Sequence, residues 1–323
     1  MRALVTGGGG FLGARLVEAL ELEGLDVRVL GRSLREGKEG KREFIVGDIL
    51  DPQSLRRAMR DCELVFHTAG LVSYDPGKAE QMQQTNVVGT KNVAEAALAL
   101  GVRRLVYTSS TAAIGVNYNP RALLSESSEF NARPLGMAYF TTKFDAELEL
   151  YRLRDRGLDY VIVNPGSILG PKDTRKKRQV YAGLIERINP KVAPPGGNCF
   201  VDIEDVVAGH LLAWKKGRLG ERYILGGENL SFFDLISRVN AILGRRPPRF
   251  RLPAASMSLA AFGLGVAKKF GLKTNFTPEL VRQMGSWYLY MDFSKAKRDL
   301  GYRPSSVDGA LRATLDWLSK ENG

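Results

Sequence analysis

Val5-Thr6-Gly7-Gly8-Gly9-Gly10-Phe11-Leu12-Gly13 (VTGGGGFLG) sets four glycines in a row, from residue 7 onward, directly behind the short run RALVT. Four consecutive glycines are costly in backbone entropy, so the stretch needs a reason. RALVTG reads as a strand. FLGARLVEALELEG reads as a helix, with Leu12, Leu16, Val17 and Leu20 on one face. Gly7, Gly10 and Gly13 then form G-x-x-G-x-x-G between a first strand and a first helix. Glycines there allow a tight turn and a close approach of pyrophosphate to the backbone, while the helix N-terminus offers free N–H groups and partial positive charge. Gly8 and Gly9 fall in the variable slots, where small side chains should be tolerated.

Outward from the turn, DVRVLGR and REFIVGDIL read as the next strands, and SLRRAMRD as a helix opening after Asp51-Pro52. LVFHTAG, RLVYTSS and DYVIVNPGS are further strands, separated by helices near Asn86–Leu100 and Tyr139–Arg156. This alternation predicts an α/β protein of Rossmann type: a doubly wound parallel sheet with a smaller, mostly helical C-terminal substrate lobe. The nucleotide-binding domain is expected over 1–169, with 199–226 returning to it, and the lobe over 170–198 and 227–323. CFVDIEDVVAGHLLAW and ERYILGG should both return to the main sheet or its edge, and VYAGLIERI should be a short helix.

Composition narrows the class. The chain has 323 residues, 44% apolar and 25% charged, as in a soluble globular protein. No signal peptide or long uncharged span is evident, so a cytoplasmic protein is expected. Cys62 and Cys199 are the only cysteines and lie far apart, which fits a reducing compartment and gives no metal site. His67 and His210 are the only histidines, and His67 reads as structural within a buried strand. The net charge of +12 is high, yet no nucleic-acid motif accompanies it, and knots such as Arg175–Arg178 read as solvated surface.

The end of the second strand bears on the choice of dinucleotide. An acidic residue there would hold the ribose 2′-hydroxyl of NAD; Gly31-Arg32 stands there instead, and an arginine can pair with a 2′-phosphate. NADP is favoured, with NAD the alternative. Asp48-Ile49 should lie by the adenine, and Ala69-Gly70 beside the cofactor.

These segments carry a resemblance. TGGGGFLG, GDI, HTAG, the Asn86 helix, TSST and YFTTK occur in the order and spacing of the extended short-chain dehydrogenase/reductases, and FVDIEDVVAGH and ERYILGG extend the likeness along the chain. The resemblance implies cofactor contacts from Thr6, Phe11, Leu12, Thr68 and the Pro165-Gly166-Ser167 loop beside those already named. It implies that Ser110 hydrogen-bonds the reacting oxygen, and that Asn86 supports a proton relay or the local helix. Tyr139 and Lys143 are i and i+4 and share a helix face. A phenol is a poor base at neutral pH, and a neighbouring ammonium favours its ionised form. Tyr139 is therefore the expected acid/base, and Lys143 would also hold the nicotinamide ribose. By the same resemblance the chain is expected to form a homodimer.

The triad alone does not choose a reaction. Sugar dehydratases of the family place Asp-Glu after the hydroxyl residue, where this chain has Thr111-Ala112. Nucleotide-sugar epimerases of the family retain NAD with an acid after the second strand. The resemblance is closest to the branch of dihydroflavonol-4-reductase-like, 3β-hydroxysteroid-dehydrogenase-like and hopanoid-associated sugar epimerase proteins. The reading is reduction of a ketone or aldehyde in an apolar or amphiphilic small molecule, the alternative a nucleotide-sugar epimerase, and the third a cofactor-sensing regulator. LPAASMSLAAFGLGVAKKFGL reads first as a buried helix of the small lobe. The competing reading is an apolar substrate wall that touches a membrane surface through Lys268, Lys269 and Lys273, without stable insertion.

Overall fold

The computed structural model describes residues 1–33, 42–172, 185–186, 188–272, 274, 277–278, 281 and 287–322. The Arg175–Arg178 knot, Lys273 and most of the VYAGLIERI pattern lie outside the described residues.

Seven parallel strands form the main sheet in the order β3-β2-β1-β4-β5-β6-β9. They are β1 (Arg2–Thr6), β2 (Asp26–Gly31), β3 (Glu43–Val46), β4 (Leu64–His67), β5 (Arg104–Thr108), β6 (Tyr160–Pro165) and β9 (Arg222–Leu225). Side-chain alternation sends Ala3 and Val5 of β1 to one face and Leu4 to the other, and each face has its own core. On the first face lies α1 (Phe11–Leu22), which buries Leu12, Leu16, Val17 and Leu20 as its spacing predicts. Full burial of a leucine such as Leu16 contributes about 1.5–3 kcal/mol.

The opposite face takes α2 (Pro52–Met59), whose N-cap Asp51 accepts from the Gln53 N–H, with proline at the first helical position. It also takes a long helical run made of α3 (Ala79–Met82), six π-wound residues Gln83–Val88, and α4 (Gly89–Ala99). Next to it packs α5 (Ala138–Arg154).

The strand expected to return to the main sheet near Cys199 does not do so. β8 (Gly197–Asp202) is the centre of a second, four-stranded sheet with β7 (Ser167–Leu169), β10 (Glu228–Ser231) and β11 (Tyr288–Leu289). The reason lies at Gly166, where the chain leaves β6 and enters β7 at once, and β8 pairs parallel to β7. The open edge of β6 is taken by β9 after α6 (Ile203–Lys216), which packs back on the main sheet. The later chain adds α7 (Phe232–Ile242), α8 (Ala254–Lys269), α9 (Ser294–Leu300) and α10 (Val307–Asn322).

The parallel register has a direct consequence for the site. Leu30, Thr6, His67, Tyr107 and Ile162 form one row across β2, β1, β4, β5 and β6. The glycine turn, Gly31-Arg32, Thr68-Ala69-Gly70, Ser109-Ser110 and Pro165-Gly166-Ser167 all follow just beyond that row, along the carboxyl edge of the sheet.

Candidate active site

The glycine turn sits at the head of this edge. Gly7 has φ +74°, and a Cβ on it would lie 2.6 Å from the Ala69 nitrogen. A Cβ on Gly13 would lie 2.2 Å from the Gly7 carbonyl oxygen, so both positions require glycine. Gly10 N–H donates to Gly7 O at 2.9 Å, and the helical bonds of α1 begin with Ala14 N–H to Gly10 O at 3.0 Å. The N–H groups of Leu12 and Gly13 lie ahead of the first intrahelical bond of α1 and form an anion cradle, while the Phe11 and Leu12 side chains are buried. No acidic residue occupies the first turn of α1 to oppose a phosphate. The cradle fits the pyrophosphate of a dinucleotide.

The expectation for Gly8 needs correction. A Cβ there would meet Val29 Cγ1 at 2.8 Å and Val17 Cγ2 at 3.2 Å, because Gly8 lets the turn close onto β2 and α1. Gly10 is the more open of the two, its Cβ meeting only Gly7 O at 3.2 Å.

Arg32 is exposed just past the end of β2. Asp48 shapes the loop after β3: its Oδ1 accepts from Leu50 N–H at 3.0 Å, and its carbonyl from Ser54 Oγ at 2.7 Å. Ile49 is buried, and its side chain closes on Gly89, where a Cβ would lie 2.5 Å from Ile49 Cδ1. Thr68 donates to Thr6 O through Oγ1 at 2.8 Å, and Ala69 N–H approaches Thr6 Oγ1 at 3.4 Å. At the other end of the edge, Pro165 closes β6 and Gly166 passes against Cys199, where a Cβ would lie 2.5 Å from its carbonyl oxygen. Ser167 Oγ accepts from Asn198 Nδ2 at 2.7 Å.

Strand alternation separates the two serines of TSST. Ser109 turns inward and donates to Glu147 Oε1 at 2.5 Å. Ser110 is half-buried; its Oγ accepts from Ala112 N–H at 3.1 Å, which leaves the hydroxyl hydrogen to donate to a ligand oxygen. Tyr139, one turn before Lys143 on α5, is half-buried with its ring edge-on to Tyr74 at 6.2 Å. A cavity beside it is lined by Tyr74, Pro76, Ala79, Met82, Met137 and Ser73, among others.

Lys143 is buried. Its Nζ donates to Tyr107 OH at 3.0 Å and to Thr108 O at 2.8 Å, which leaves one N–H for a ligand. Burial pushes the ammonium down to about 7, against the opposing pull of the Glu147 carboxylate. A Cβ on Gly70 would stand 3.8 Å from this Nζ and 3.4 Å from Asn86 Oδ1, so Gly70 brings β4, α5 and the π-wound segment together. Asn86 itself clasps the loop after β4: Oδ1 accepts from Leu71 N–H at 2.7 Å and Nδ2 donates to Leu71 O at 2.9 Å. Asn86 Nδ2 also reaches Thr142 Oγ1 at 3.2 Å, next to Lys143. It acts as a positioning residue for this corner.

Two buried polar assemblies were invisible to sequence reasoning. In the first, Thr90 Oγ1 donates to Asn86 O at 2.6 Å, so it can only accept from His67 Nε2 at 3.0 Å. His67 Nδ1 is then the acceptor of the Thr6 hydroxyl at 2.6 Å. The chain of bonds runs one way from the glycine turn to Asn86. His67 is neutral there, burial driving it down to about 3. In the second, Glu147 is fully buried and gathers Ser109, Asn164 Nδ2 at 2.7 Å, Tyr151 OH at 3.1 Å and Arg222 Nη1 at 3.1 Å. Asn164 Nδ2 also donates to Ser110 O at 3.0 Å. Glu147 thus ties the lysine turn of α5 to the strand end that carries Ser110. The one sequence signal was an acid four residues after Lys143 on the same face.

The sequence profile of the NAD dependent epimerase/dehydratase family matches residues 3–226. A Synechocystis sp. protein with the provisional name dihydroflavonol 4-reductase is 34% identical over 324 residues, covering 97% of this chain and 93% of its own length. Sterol demethylase protein B of Methylococcus capsulatus is 33% identical over 338 residues, covering 100% of this chain and 99% of its own. The crystal structure of gox2253 superposes with a TM-score of 0.82 at 32% identity, covering 99% of this chain and 98% of that one.

Proposed function

The chain belongs to the NAD dependent epimerase/dehydratase family, as an extended short-chain dehydrogenase/reductase, and on that footing we propose that it reduces a ketone or aldehyde of an apolar or amphiphilic small molecule with NADP as cofactor. The observation that carries this reading is the site itself: Ser110 with a hydroxyl hydrogen to give, Tyr139 lining the Tyr74–Met82–Met137 cavity, and Lys143 buried one turn behind it. The likeness to a reductase and to a sterol-processing protein supports an apolar substrate.

The reduced nicotinamide supplies the hydride when bound. Ser110 then hydrogen-bonds the substrate carbonyl oxygen and polarises it. Tyr139 gives its phenolic proton to that oxygen, and the Lys143 ammonium favours the phenolate left behind. The Thr6–His67–Thr90–Asn86 chain and the Glu147 cluster hold the two halves of the site in place. The exposed Arg32 is offered to a 2′-phosphate.

The test is NADPH-dependent turnover of a carbonyl panel, with binding of NADPH and NADH measured in parallel. Tyr139→Phe should abolish turnover with NADPH affinity nearly unchanged. Arg32→Ala should weaken NADPH by roughly tenfold or more and leave NADH alone. Wild-type preference for NADH, or NAD retained through purification, would overturn the NADP assignment and favour an epimerase. Turnover surviving Tyr139→Phe would overturn the acid/base role.

A further inference from the structure

The helix α8 was expected to be buried, and it is not. Only Met257 and Ala261 are buried on it, while Leu259 is 73% exposed, Phe262 71%, Val266 39%, and Phe270 at its C-cap 87%. At about 100° per residue these four fall within one narrow stripe, opposite Met257 and Ala261. Leu272, just beyond, is 50% exposed, and Phe250, just before, 56%. Scattered exposed apolar residues need no explanation, but a stripe along one helix does.

Its electrostatic setting identifies the partner. From Leu235 to Pro278 the sequence contains no Asp or Glu and eight cations: Arg238, Arg245, Arg246, Arg249, Arg251, Lys268, Lys269 and Lys273. Some of these are spent on the fold, Arg238 on Glu228 and Asp308, and Arg251 near Asp234. Arg246 and Arg249, in the loop before the helix, stand exposed, as does Lys269 in its last turn. A second copy meeting this face in isologous fashion would bring like charges together, and nucleic acid offers nothing to an apolar stripe. An anionic bilayer satisfies both features, with headgroups for the cations and acyl chains for Leu259, Phe262 and Phe270. Among the described residues no helix is long and apolar enough to cross a membrane, so the contact is peripheral.

We propose that α8 and its flanks form a docking surface for anionic lipid membranes, by which the protein lies on a bilayer with Leu259, Phe262, Val266 and Phe270 inserted at the headgroup boundary. This stands independently of which carbonyl the site reduces.

The test is flotation of the full-length protein with vesicles of equimolar phosphatidylglycerol and phosphatidylcholine, and with phosphatidylcholine alone, at low and high salt. Anionic vesicles should carry the protein and neutral ones should carry far less. Lys269→Ala should weaken binding by roughly fivefold, the contribution of one cation at the headgroups. Leu259→Ser with Phe262→Ser should weaken it by more than roughly tenfold. Circular dichroism checks that each variant is folded. Failure of wild type to float with anionic vesicles would overturn the proposal, as would flotation unchanged by Leu259→Ser with Phe262→Ser. So would a self-associated species that this double variant dissolves without any change in lipid binding.

Discussion

Lowering the pH from about 7.5 to about 4.5 should cost the fold roughly 3 kcal/mol through His67 alone. Burial holds the imidazole down from 6.5 to about 3, with the Lys143 charge as a lesser cause, and both ring nitrogens are committed in the neutral form. The unfolded chain therefore takes up a proton near pH 6.5 that the folded chain refuses until about pH 3. A depressed folded pKa gives stability that is complete above the unfolded value and is lost as pH falls towards the folded one. Between these limits the slope is about 1.36 kcal/mol per pH unit, and nearly two units of the window lie above pH 4.5. The assay is urea unfolding followed by circular dichroism at a series of pH values, for wild type and His67→Gln. The variant will start less stable, because glutamine cannot reproduce both bonds. The informative quantity is the difference in slope, from which the contributions of carboxylates and of His210 cancel. A His67→Gln slope shallower by roughly 1 kcal/mol per pH unit between pH 4.5 and 6 is expected. Identical slopes would mean that His67 is not held neutral, and the one-way chain from Thr6 to Asn86 would fall with it.

Two further outcomes follow from the site. Glu147→Gln removes a carboxylate about one helical turn from Lys143, where an effective dielectric near 20 gives an interaction of roughly 2–3 kcal/mol. Since that carboxylate favours the charged ammonium, the alkaline limb of kcat/KM should move to lower pH by about one to two units; a limb that stays put would detach Glu147 from Lys143. Gly8→Ala should lower unfolding stability by about 1–3 kcal/mol through its clash with Val29 and Val17, whereas Gly10→Ala should cost less than about 1 kcal/mol. Equal losses in urea unfolding would refute the contrast.

The contrast between Gly8 and Gly10 also shows where reading the chain alone reaches its limit. The G-x-x-G-x-x-G spacing and the Tyr139–Lys143 pair are local, so a strand–helix junction and one helical turn suffice to interpret them. The crowding at Gly8 comes from Val29, on a neighbouring strand, and no local pattern reports it. Likewise Glu147 reads as an ordinary helix acid until β6 and β9 deliver Asn164 and Arg222 to it. The strand at Cys199 was misplaced for a related reason: its apolar character fits either sheet, and the decision rests on the abrupt exit at Gly166. For α8, apolar composition says that the helix avoids water but not what it meets instead.

The π-wound residues Gln83–Val88 carry an implication about chain length. A π turn accommodates one residue more than an α turn, so it acts as an insertion absorbed within a continuous helix. Asn86 lies inside it and reaches Leu71 and Thr142 from there, while Thr90 and Gly89 belong to the regular turns that follow. Losing a single residue between Gln83 and Val88 would rewind the segment as α-helix and swing position 86 by about 100° relative to position 90. The clasp of Asn86 on Leu71 and its bond to Thr142 would then be displaced, even with every polar side chain retained. In this stretch the count of residues is constrained as tightly as their identity, and tolerance to substitution there would not imply tolerance to deletion.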